Sequence, residues 1–291
     1  MRRTRTAIAL SLAAALTLAA CGGGGEDEPA EGGAEGGGEE TSAAAEGGGE
    51  GVTIGIKFDQ PGLGLQEGAE YTGFDVDVAR YVADKLGYSE DQIEFVESIS
   101  SQRETLLENG SVDMIFATYS ITDARKERIA YAGPYFVAGQ DLLVAADDEE
   151  ITGPETLSGK VLCSVEGSTS AERIRDEHAE DVELYPAQTY SECVELLSAG
   201  TVDAVTTDDI ILAGFAAQDQ YEGQFKVVGN TFSEERYGVG LPQENDVCED
   251  VNAAIMEMVE DGTWEELIAE HTPEGFTPDD SLNPPEVDDC A

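Results

Sequence analysis

The chain repeats one motif twice, first as Leu106-Leu-Glu-Asn-Gly-Ser-Val-Asp-Met-Ile-Phe-Ala-Thr118 and, 90 positions later, as Leu196-Leu-Ser-Ala-Gly-Thr-Val-Asp-Ala-Val-Thr-Thr-Asp208. In each copy an apolar helix end closes at a glycine, Val and Asp follow at the same offsets, and a short apolar strand leads to a polar side chain eight residues past the glycine. A helix, a glycine C-cap and a strand recur in many α/β proteins. The matched register of the two copies nevertheless indicates two similar α/β lobes.

Strand and helix patterns alternate around both copies, which predicts parallel pairing with helical crossovers. Ligands of open α/β sheets bind outside the carboxyl ends of the strands, where Thr118 and Asp208 fall. We expect an α/β fold of two lobes facing a central ligand cleft, with lobe 1 at 52–145 and 234–291 and lobe 2 at 146–233. The chain would cross between the lobes at these two boundaries and form a hinge. Strands are predicted at 52–56, 93–96, 114–117, 141–146, 161–165, 204–207, 225–228 and 237–241, and helices at 74–87, 101–109, 170–179, 190–199, 246–260 and 263–271.

The first 20 residues have the organisation of a secretory signal peptide. Three arginines precede an apolar run over 7–20 that is too short to span a bilayer, and small residues precede Cys21. This end resembles a bacterial lipobox, in which Cys21 becomes the lipidated first residue of the mature chain. The alternative is an ordinary signal peptide with a chance Cys. We expect 1–20 to be removed and acyl chains to anchor the protein at the outer face of the cell membrane.

Composition separates a tether from a folded body. Residues 21–51 contain Gly, Ala and Glu and little else, with nine acidic and no basic or aromatic residues. Such a segment cannot bury a core and is predicted to be a flexible tether. The body from Val52 onward has twelve basic and fifty-three acidic residues, a charge near −41. This charge argues against nucleic acid and anionic membrane surfaces as partners.

Four cysteines follow the tether, and an even number in an exported chain favours disulfides. Three pairings are possible, of which we favour Cys163 with Cys193 and Cys248 with Cys290. The first would tie a strand to the helix of the next α/β unit, and the second would fasten the Pro- and Asp-rich C-terminal tail. A metal site is disfavoured because the chain has two His residues and no close Cys pair.

Several short motifs, in order, resemble the solute-binding proteins of polar amino-acid ABC transporters: Phe74-Asp-Val-Asp-Val78, Val112-Asp-Met114, Thr122-x-x-Arg125 and Gly133-Pro-Tyr135. Three more are similar to the actinobacterial glutamate-binding branch of that family: Lys57-Phe-Asp-Gln-Pro-Gly-Leu-Gly64, Gln102-Arg-Glu-Thr-Leu106 and Cys163-Ser-Val-x-Gly-Ser-Thr169. The likeness covers nearly all of 52–272. It implies a two-lobed periplasmic-binding-protein fold, a monomer without a cofactor, and permease subunits as partners.

An amino-acid ligand presents an α-carboxylate and an α-ammonium, which need a bidentate donor and an anion. The cluster around Arg125 fits a solvated patch when taken alone, but the family pattern assigns the carboxylate to Arg125, whose guanidinium matches carboxylate geometry. Thr118 and Ser120 would add hydroxyl or backbone donors. In lobe 2, Ser168 and Thr169 begin a helix whose backbone N–H groups suit the same carboxylate from the opposite side.

Within that loop, Thr169 and Glu172 have the spacing of a capping box, so a structural role is equally compatible with the sequence. Asp208 would bind the ammonium, although a solvated acid beside Asp209 is the simpler interpretation without the repeat and the family position.

Selectivity depends on Lys57 and Arg103. Both positions border the same cleft in a body that is poor in cations, and with Arg125 they give three positive charges against Asp208. That balance complements glutamate or aspartate, because a neutral or cationic ligand would leave a cation buried and unpaired. Exposed ion pairs are the alternative for both residues.

The sequence thus predicts a binding protein, not an enzyme, that closes over glutamate or aspartate and delivers it to an ABC importer. Binding of glutamine, asparagine or another polar amino acid is the first alternative. A dehydratase-like enzyme on the same scaffold is disfavoured because neither His lies in a candidate pocket segment and there is no nucleophile elbow or phosphate loop. A sensing module is disfavoured because the chain has no signalling domain.

Overall fold

The computed structural model describes residues 51–178 and 182–290. The predicted signal peptide, the predicted lipidated Cys21 and all of the predicted tether except Gly51 lie outside these ranges. Among the residues within them, no helix combines the length and apolar character that a bilayer crossing requires.

The described residues form an α/β structure whose elements alternate along most of the chain. The strands are β1 (Val52–Ile56), β2 (Asp59–Gln60), β3 (Gly64–Glu67), β4 (Glu70–Thr72), β5 (Ile93–Glu97), β6 (Met114–Phe116), β7 (Ala130–Ala138), β8 (Gln140–Ala145), β9 (Val161–Val165), β10 (Glu183–Ala187), β11 (Ala204–Asp208), β12 (Phe225–Val227) and β13 (Glu235–Leu241). The helices are α1 (Phe74–Lys85), α2 (Arg103–Glu108), α3 (Asp123–Lys126), α4 (Thr169–His178), α5 (Tyr190–Ser198), α6 (Asp209–Ala216), α7 (Cys248–Glu260) and α8 (Thr263–His271).

Each lobe is built on one five-stranded sheet. The first sheet has the order β5-β1-β6-β13-β7, with β1 parallel to β5 and β6 and with β13 antiparallel to β6 and β7. The second has the order β10-β9-β11-β8-β12, with β9 parallel to β10 and β11 and with β8 antiparallel to β11 and β12. The predicted two-lobed α/β fold is confirmed.

Helix α1 covers the first sheet because its apolar residues recur at helical spacing. Phe74, Val78 and Val82 lie on one face and are fully buried. The Phe74 ring packs against Phe136 of β7 and Trp264 of α8, with ring centroids 5.8 and 6.3 Å apart. The aromatic cluster joins the C-terminal helices to lobe 1.

The first crossing between the sheets differs from the prediction. Strand β7 ends at Ala138 and β8 begins at Gln140, so the crossing lies at Gly139 and not near residue 145. Strand β8 belongs to the second sheet, where it pairs with β11 and β12. The acidic run 147–150 begins in a surface turn within lobe 2, so the predicted lobe boundary at this run is wrong. The second crossing lies between Val227 and Glu235.

Both favoured disulfide pairs are formed. Cys163 of β9 joins Cys193 of α5, with Cα atoms 5.5 Å apart, and Cys248 of α7 joins Cys290, with Cα atoms 6.0 Å apart. The second bridge fastens a tail that also bonds along β7, where the Asn283 side chain accepts from the N–H of Val137 at 2.9 Å and donates to its carbonyl at 2.8 Å. The tail covers the free edge of the first sheet.

Strand β7 was absent from the predicted elements. Its sequence contains Gly133-Pro134, a strong turn signal, yet all nine residues of the strand are buried. Because β7 is an edge strand and its register shifts opposite Gly238, the missing N–H of Pro134 breaks no regular ladder. The sequence analysis also did not predict strand β10, the small sheet β2-β3-β4 or the helices α3 and α6.

Candidate ligand-binding site

The two motif copies end their helices in the same way. Gly110 and Gly200 have φ of 69° and 68°, the left-handed conformation that a glycine adopts after a helix at little cost. Strands β6 and β11 follow, and they bring Thr118 and Asp208 to the carboxyl ends of the two sheets. The residues that the repeat singled out therefore lie where an α/β sheet binds its ligand.

The aspartates of the two motif copies, Asp113 and Asp203, form equivalent pairs of hydrogen bonds. Asp113 accepts from the N–H of Thr53 with its side chain at 2.8 Å, and its own N–H donates to the Thr53 carbonyl at 2.8 Å. Asp203 makes the same pair of bonds with Val161, at 2.7 and 2.8 Å. Each aspartate thus fixes the start of its strand against a neighbouring parallel strand, β1 for Asp113 and β9 for Asp203.

A small cavity of about 10 Å³ lies between the lobes. Six of the eight predicted ligand-binding residues line it, whereas Lys57 and Arg125 lie one hydrogen bond behind its wall. The structure thus brings the eight residues close together, six at the cavity and two directly behind residues that line it. The lining consists of Ser100, Arg103, Thr118, Ser120, Ser168, Thr169, Ser170, Tyr190, Thr207, Asp208 and Ile211.

Lys57 is a buried cation that follows β1. It is 4% exposed, and its ammonium donates to the Ser100 hydroxyl at 2.8 Å. Burial, and next the positive charge of Arg103, lowers the pKa of Lys57 from 10.5 to about 7. No salt bridge engages Lys57 within the described residues. Asp59 and Asp75 are near enough to oppose this lowering of the pKa, but neither forms an ion pair with Lys57.

Arg103 opens α2 and is 2% exposed. Its guanidinium lies 4.1 Å from the centre of the Tyr119 ring and donates to the Ala117 carbonyl at 3.1 Å. Its Nε is buried without a hydrogen-bond partner. Burial, and next the charge of Arg125, lowers the pKa of Arg103. A buried cation with an unused donor is suited to an incoming anion.

Arg125 lies in the short helix α3, where the Thr122 hydroxyl accepts from its N–H. Its guanidinium donates to the Ser120 carbonyl at 2.7 Å and pairs with Glu104 at 3.3 Å. A third bond, of 2.9 Å, goes across the cleft to the Gly167 carbonyl, to which Arg103 also donates at 3.3 Å. Two guanidinium groups of lobe 1 thus converge on one oxygen atom of lobe 2.

Asp208 faces this cationic group from the end of β11. It is 3% exposed, its Oδ2 accepts from the Tyr237 hydroxyl of lobe 1, and its Oδ1 is buried without a partner. Burial, and next the negative charge of Glu235, raises the pKa of Asp208 well above its usual value. A cationic group placed against Oδ1 would relieve both effects.

Ser168 and Thr169 differ in role from the predicted capping box. Helix α4 begins at Thr169, and the side chain that accepts from its first turn belongs to Ser168, which bonds the N–H of Ala171 at 3.0 Å. Thr169 is one position too late to cap the helix, so its hydroxyl is left to the cleft. There it lies 3.4 Å from the Ser120 hydroxyl of lobe 1.

The Gly167 loop brings the lobes into direct contact. Gly167 has φ of 76°, and a Cβ on it would lie 2.8 Å from the Cα of Ser101 in lobe 1. A side chain at this position would hold the lobes apart. The glycine is therefore what permits the close approach of the helix α4 start to the guanidinium groups.

The sequence pattern of the bacterial extracellular solute-binding proteins, family 3, matches residues 52–274. The chain belongs to this family. The resemblance inferred from the short motifs is thereby confirmed, and it covers both lobes and both crossings.

Several individual proteins resemble the chain over most of its length. The glutamate-binding protein GluB of Corynebacterium glutamicum is 47% identical over 232 residues, which are 76% of this chain and 78% of that protein. GluB of Corynebacterium efficiens is 44% identical over 92% of this chain and 90% of its own length. The structure of an ancestral arginine-binding protein bound to arginine matches with a TM-score of 0.71 and 30% identity over 76% of this chain and 97% of that one. Relatives of one fold thus bear names with different ligands, so the ligand must be argued from the site.

Sequence reasoning missed several residues of the site. Tyr190 and Thr207 line the cavity, and Gln60 is fully buried behind Thr118 with an unpaired Nε2. Gln60 stands within the quoted segment from Lys57 to Gly64, so the resemblance held a signal for it. Tyr190 has the appearance of an ordinary apolar helix residue, and nothing in its spacing distinguishes it.

Proposed function

We propose that this protein is the extracytoplasmic substrate-binding component of an amino-acid ABC importer and that it binds L-glutamate by closure of its two lobes. The observation that carries the proposal is the charge arrangement of one buried site. Lys57, Arg103 and Arg125 lie on lobe 1, and Asp208 faces them from lobe 2. Glutamate has the complementary set of two carboxylates and one ammonium.

The α-carboxylate is assigned to Arg103 and Arg125. Their guanidinium groups share the Gly167 carbonyl oxygen, at 3.3 and 2.9 Å, which marks a position where an anionic oxygen would be held from two sides. A carboxylate oxygen there would receive charge-assisted hydrogen bonds, which are stronger than bonds to a neutral carbonyl. The start of α4 would approach the same group from lobe 2.

The α-ammonium is assigned to Asp208. Its Oδ1 has no partner, whereas Oδ2 is already occupied by Tyr237. A buried carboxylate oxygen without a donor is unfavourable, and an ammonium would supply both the donor and the opposite charge. The hydroxyl groups of Thr169 and Ser120 lie in the same cavity and can accept its further hydrogens.

The side-chain carboxylate is assigned to Lys57 with Ser100. The ammonium of Lys57 is bonded to a neutral hydroxyl, so a ligand carboxylate would be its direct ion-pair partner. Similarity to two GluB proteins supports the same ligand. The lowered pKa of Lys57, about 7, favours glutamine or asparagine as the second candidate, because a neutral amine could accept from a ligand amide.

Calorimetric titration of the purified protein with L-glutamate, L-aspartate, L-glutamine and L-lysine tests the ligand. We expect the tightest binding with glutamate and weaker binding with aspartate, whose shorter side chain reaches less far toward Lys57. Heat with glutamine or lysine, and none with either acidic amino acid, would overturn the assignment of an acidic ligand.

We also propose the arrangement at the membrane that the sequence predicts: removal of 1–20, lipidation of Cys21 and a monomer that serves permease subunits at the outer face. Membership in an extracellular solute-binding family supports this location. Metabolic labelling with a radioactive fatty acid should mark the protein, and the Cys21→Ala variant should lose the label and leave the membrane fraction. A Cys21→Ala variant that keeps the label would exclude Cys21 as the lipidated residue.

A further inference from the structure

Asp75 is a buried carboxylate that is not among the proposed ligand contacts. It lies in the first turn of α1, is fully buried and does not line the cavity. One oxygen accepts from the N–H of Thr118 at 2.8 Å, and the other accepts from the Tyr135 hydroxyl at 2.8 Å. A helix residue of lobe 1 thus holds the backbone of a residue that lines the cavity.

The backbone that Asp75 holds is strained. Thr118 has φ of 45°, and among the described residues it is the only non-glycine residue with positive φ. A β-branched residue is disfavoured in this region because its Cβ crowds the backbone, so it stays there only when its surroundings fix it. The hydrogen bond from the Thr118 N–H to Asp75 is such a constraint.

The constrained peptide supports the cationic side of the site. The Ala117 carbonyl, which precedes Thr118, accepts from the Arg103 guanidinium at 3.1 Å and from the Thr118 hydroxyl at 2.8 Å. If the peptide between Ala117 and Thr118 turned, Arg103 would lose one of its two hydrogen bonds. The orientation of Arg103 and that of Thr118 therefore depend on one peptide group.

We propose that Asp75 is a positioning residue for ligand binding, which keeps Thr118 in its left-handed conformation and, through the Ala117 carbonyl, holds Arg103 toward the cavity. This inference rests on the proposed function, since it needs an amino-acid ligand to position. The α-carboxylate is common to glutamate and glutamine, so the contribution of Asp75 is common to both ligands.

If Asp75 acted on the ligand only through its negative charge, removing that charge would change glutamate affinity in the opposite direction. Lys57 and Arg103 face it with positive charge, and Thr118 and Tyr135 donate to it, while burial raises its pKa to about 6. Neutralising Asp75 would make the site more positive and would tighten glutamate relative to glutamine. A positioning role predicts weaker binding of both, so the two roles are separable at a pH of about 7.5, where the carboxylate is charged.

The experiment measures ligand affinity by calorimetry in four proteins: the wild type, Asp75→Asn, Thr118→Gly and the double variant. Glycine adopts positive φ readily, so the constraint on residue 118 matters less in that background. In the Thr118 background, Asp75→Asn should weaken glutamate and glutamine alike by about tenfold, and in the Thr118→Gly background by about twofold. Asp77→Asn is the matched control: it removes a charge from the same helix turn, but Asp77 bonds Arg80 and His271 away from the site.

Three outcomes would overturn the inference. Asp75→Asn could lower the melting temperature with unchanged affinity, it could tighten glutamate relative to glutamine, or it could weaken binding equally in both backgrounds. A wild-type protein that binds no amino acid would refute the proposed function itself and the inference with it. A wild type that binds, together with an unaffected Asp75→Asn variant, would refute the inference alone.

Discussion

The two motif copies begin alike and end differently. At their beginnings, a left-handed glycine closes a helix and an aspartate clamps the neighbouring strand, with φ values that differ by one degree and bond lengths that differ by 0.1 Å. At their ends, Thr118 has φ of 45° and leads into an irregular segment, whereas Asp208 has φ of −71° and leads directly into helix α6. The shared beginnings build the lobes, and the different ends carry the chemistry.

The difference explains how one scaffold supplies both halves of an amino-acid site. Asp208 occupies the N-cap position of α6, but its side chain makes no capping bond, and Asp209 bonds the N–H of Ile210 instead. The carboxylate of Asp208 is therefore left for a cation. On the other lobe, the carbonyl before Thr118 holds Arg103 for an anion. A dipolar ligand would bridge the two ends in the proposed binding mode.

The largest effect is expected where the copies differ most. Asp208→Asn should weaken glutamate and glutamine by about a hundredfold or more, because the ligand ammonium would be buried without an opposite charge. The thermal stability of the Asp208→Asn variant without ligand should not fall, since the substitution removes an unfavourable buried carboxyl group. Calorimetry and a melting curve measure the two quantities. Affinity within a few-fold of the wild type would show that the copies do not differ in the proposed way.

The cationic side can be tested through ligand discrimination. Lys57→Ala should weaken glutamate by about tenfold and glutamine much less, because only glutamate offers a second carboxylate to the ammonium. Lys85→Ala is a suitable control, since Lys85 pairs with Glu257 in a solvated position. Competition titrations give both affinities. Equal losses for the two ligands would remove Lys57 from the discrimination.

The parts of the fold that the sequence predicted were those with a repeated local signal. Helix α1, the two glycine caps, strand β11 and both disulfides have periodic or paired patterns, and the structure contains them all. The sequence did not predict strand β7 because its pairing is non-local. A segment with a Gly-Pro turn signal becomes a strand when β13 pairs with it. Long-range pairing leaves little trace in a local window.

The residues of the site also fall into those with a signal in the sequence and those that only the fold brings to the site. The repeat and the resemblance agree in predicting Asp208 for the site, and the motif alone predicts Arg125; the structure places the first at the cavity and the second directly behind it. Asp75 lies within a family motif, but its sequence position predicts no role, since only the fold brings its oxygen to the N–H of Thr118, 43 residues away. The first crossing was placed too late because an acidic surface turn marks exposure and not a change of sheet.

The pH dependence of discrimination is expected to be smaller than the effect of removing Lys57. Free Lys57 has a pKa of about 7, and a bound carboxylate would raise it, so glutamate binding takes up a proton at higher pH. The preference for glutamate over glutamine should therefore decrease several-fold between about pH 6.5 and about pH 8.5. Binding of the ligand ammonium would also release a proton from Asp208, whose pKa is raised in the free protein. Because this release is the same for both ligands, it cancels in the ratio of their affinities. Lys57→Ala should show a constant ratio, and a constant ratio in the wild type would contradict the assignment.

The smallest effect on binding is expected where the copies agree. Asp113→Ala and Asp203→Ala should each lower the free energy of unfolding by about 1 kcal/mol, because each removes one side-chain bond to the neighbouring strand. Glutamate affinity should change by no more than about twofold in either variant, since both aspartates lie at strand starts and outside the cavity. Urea unfolding and calorimetry measure the two effects. A selective loss of affinity in one variant would mean that the beginnings of the copies are not equivalent, because the clamp in that lobe would then also set the position of its strand end.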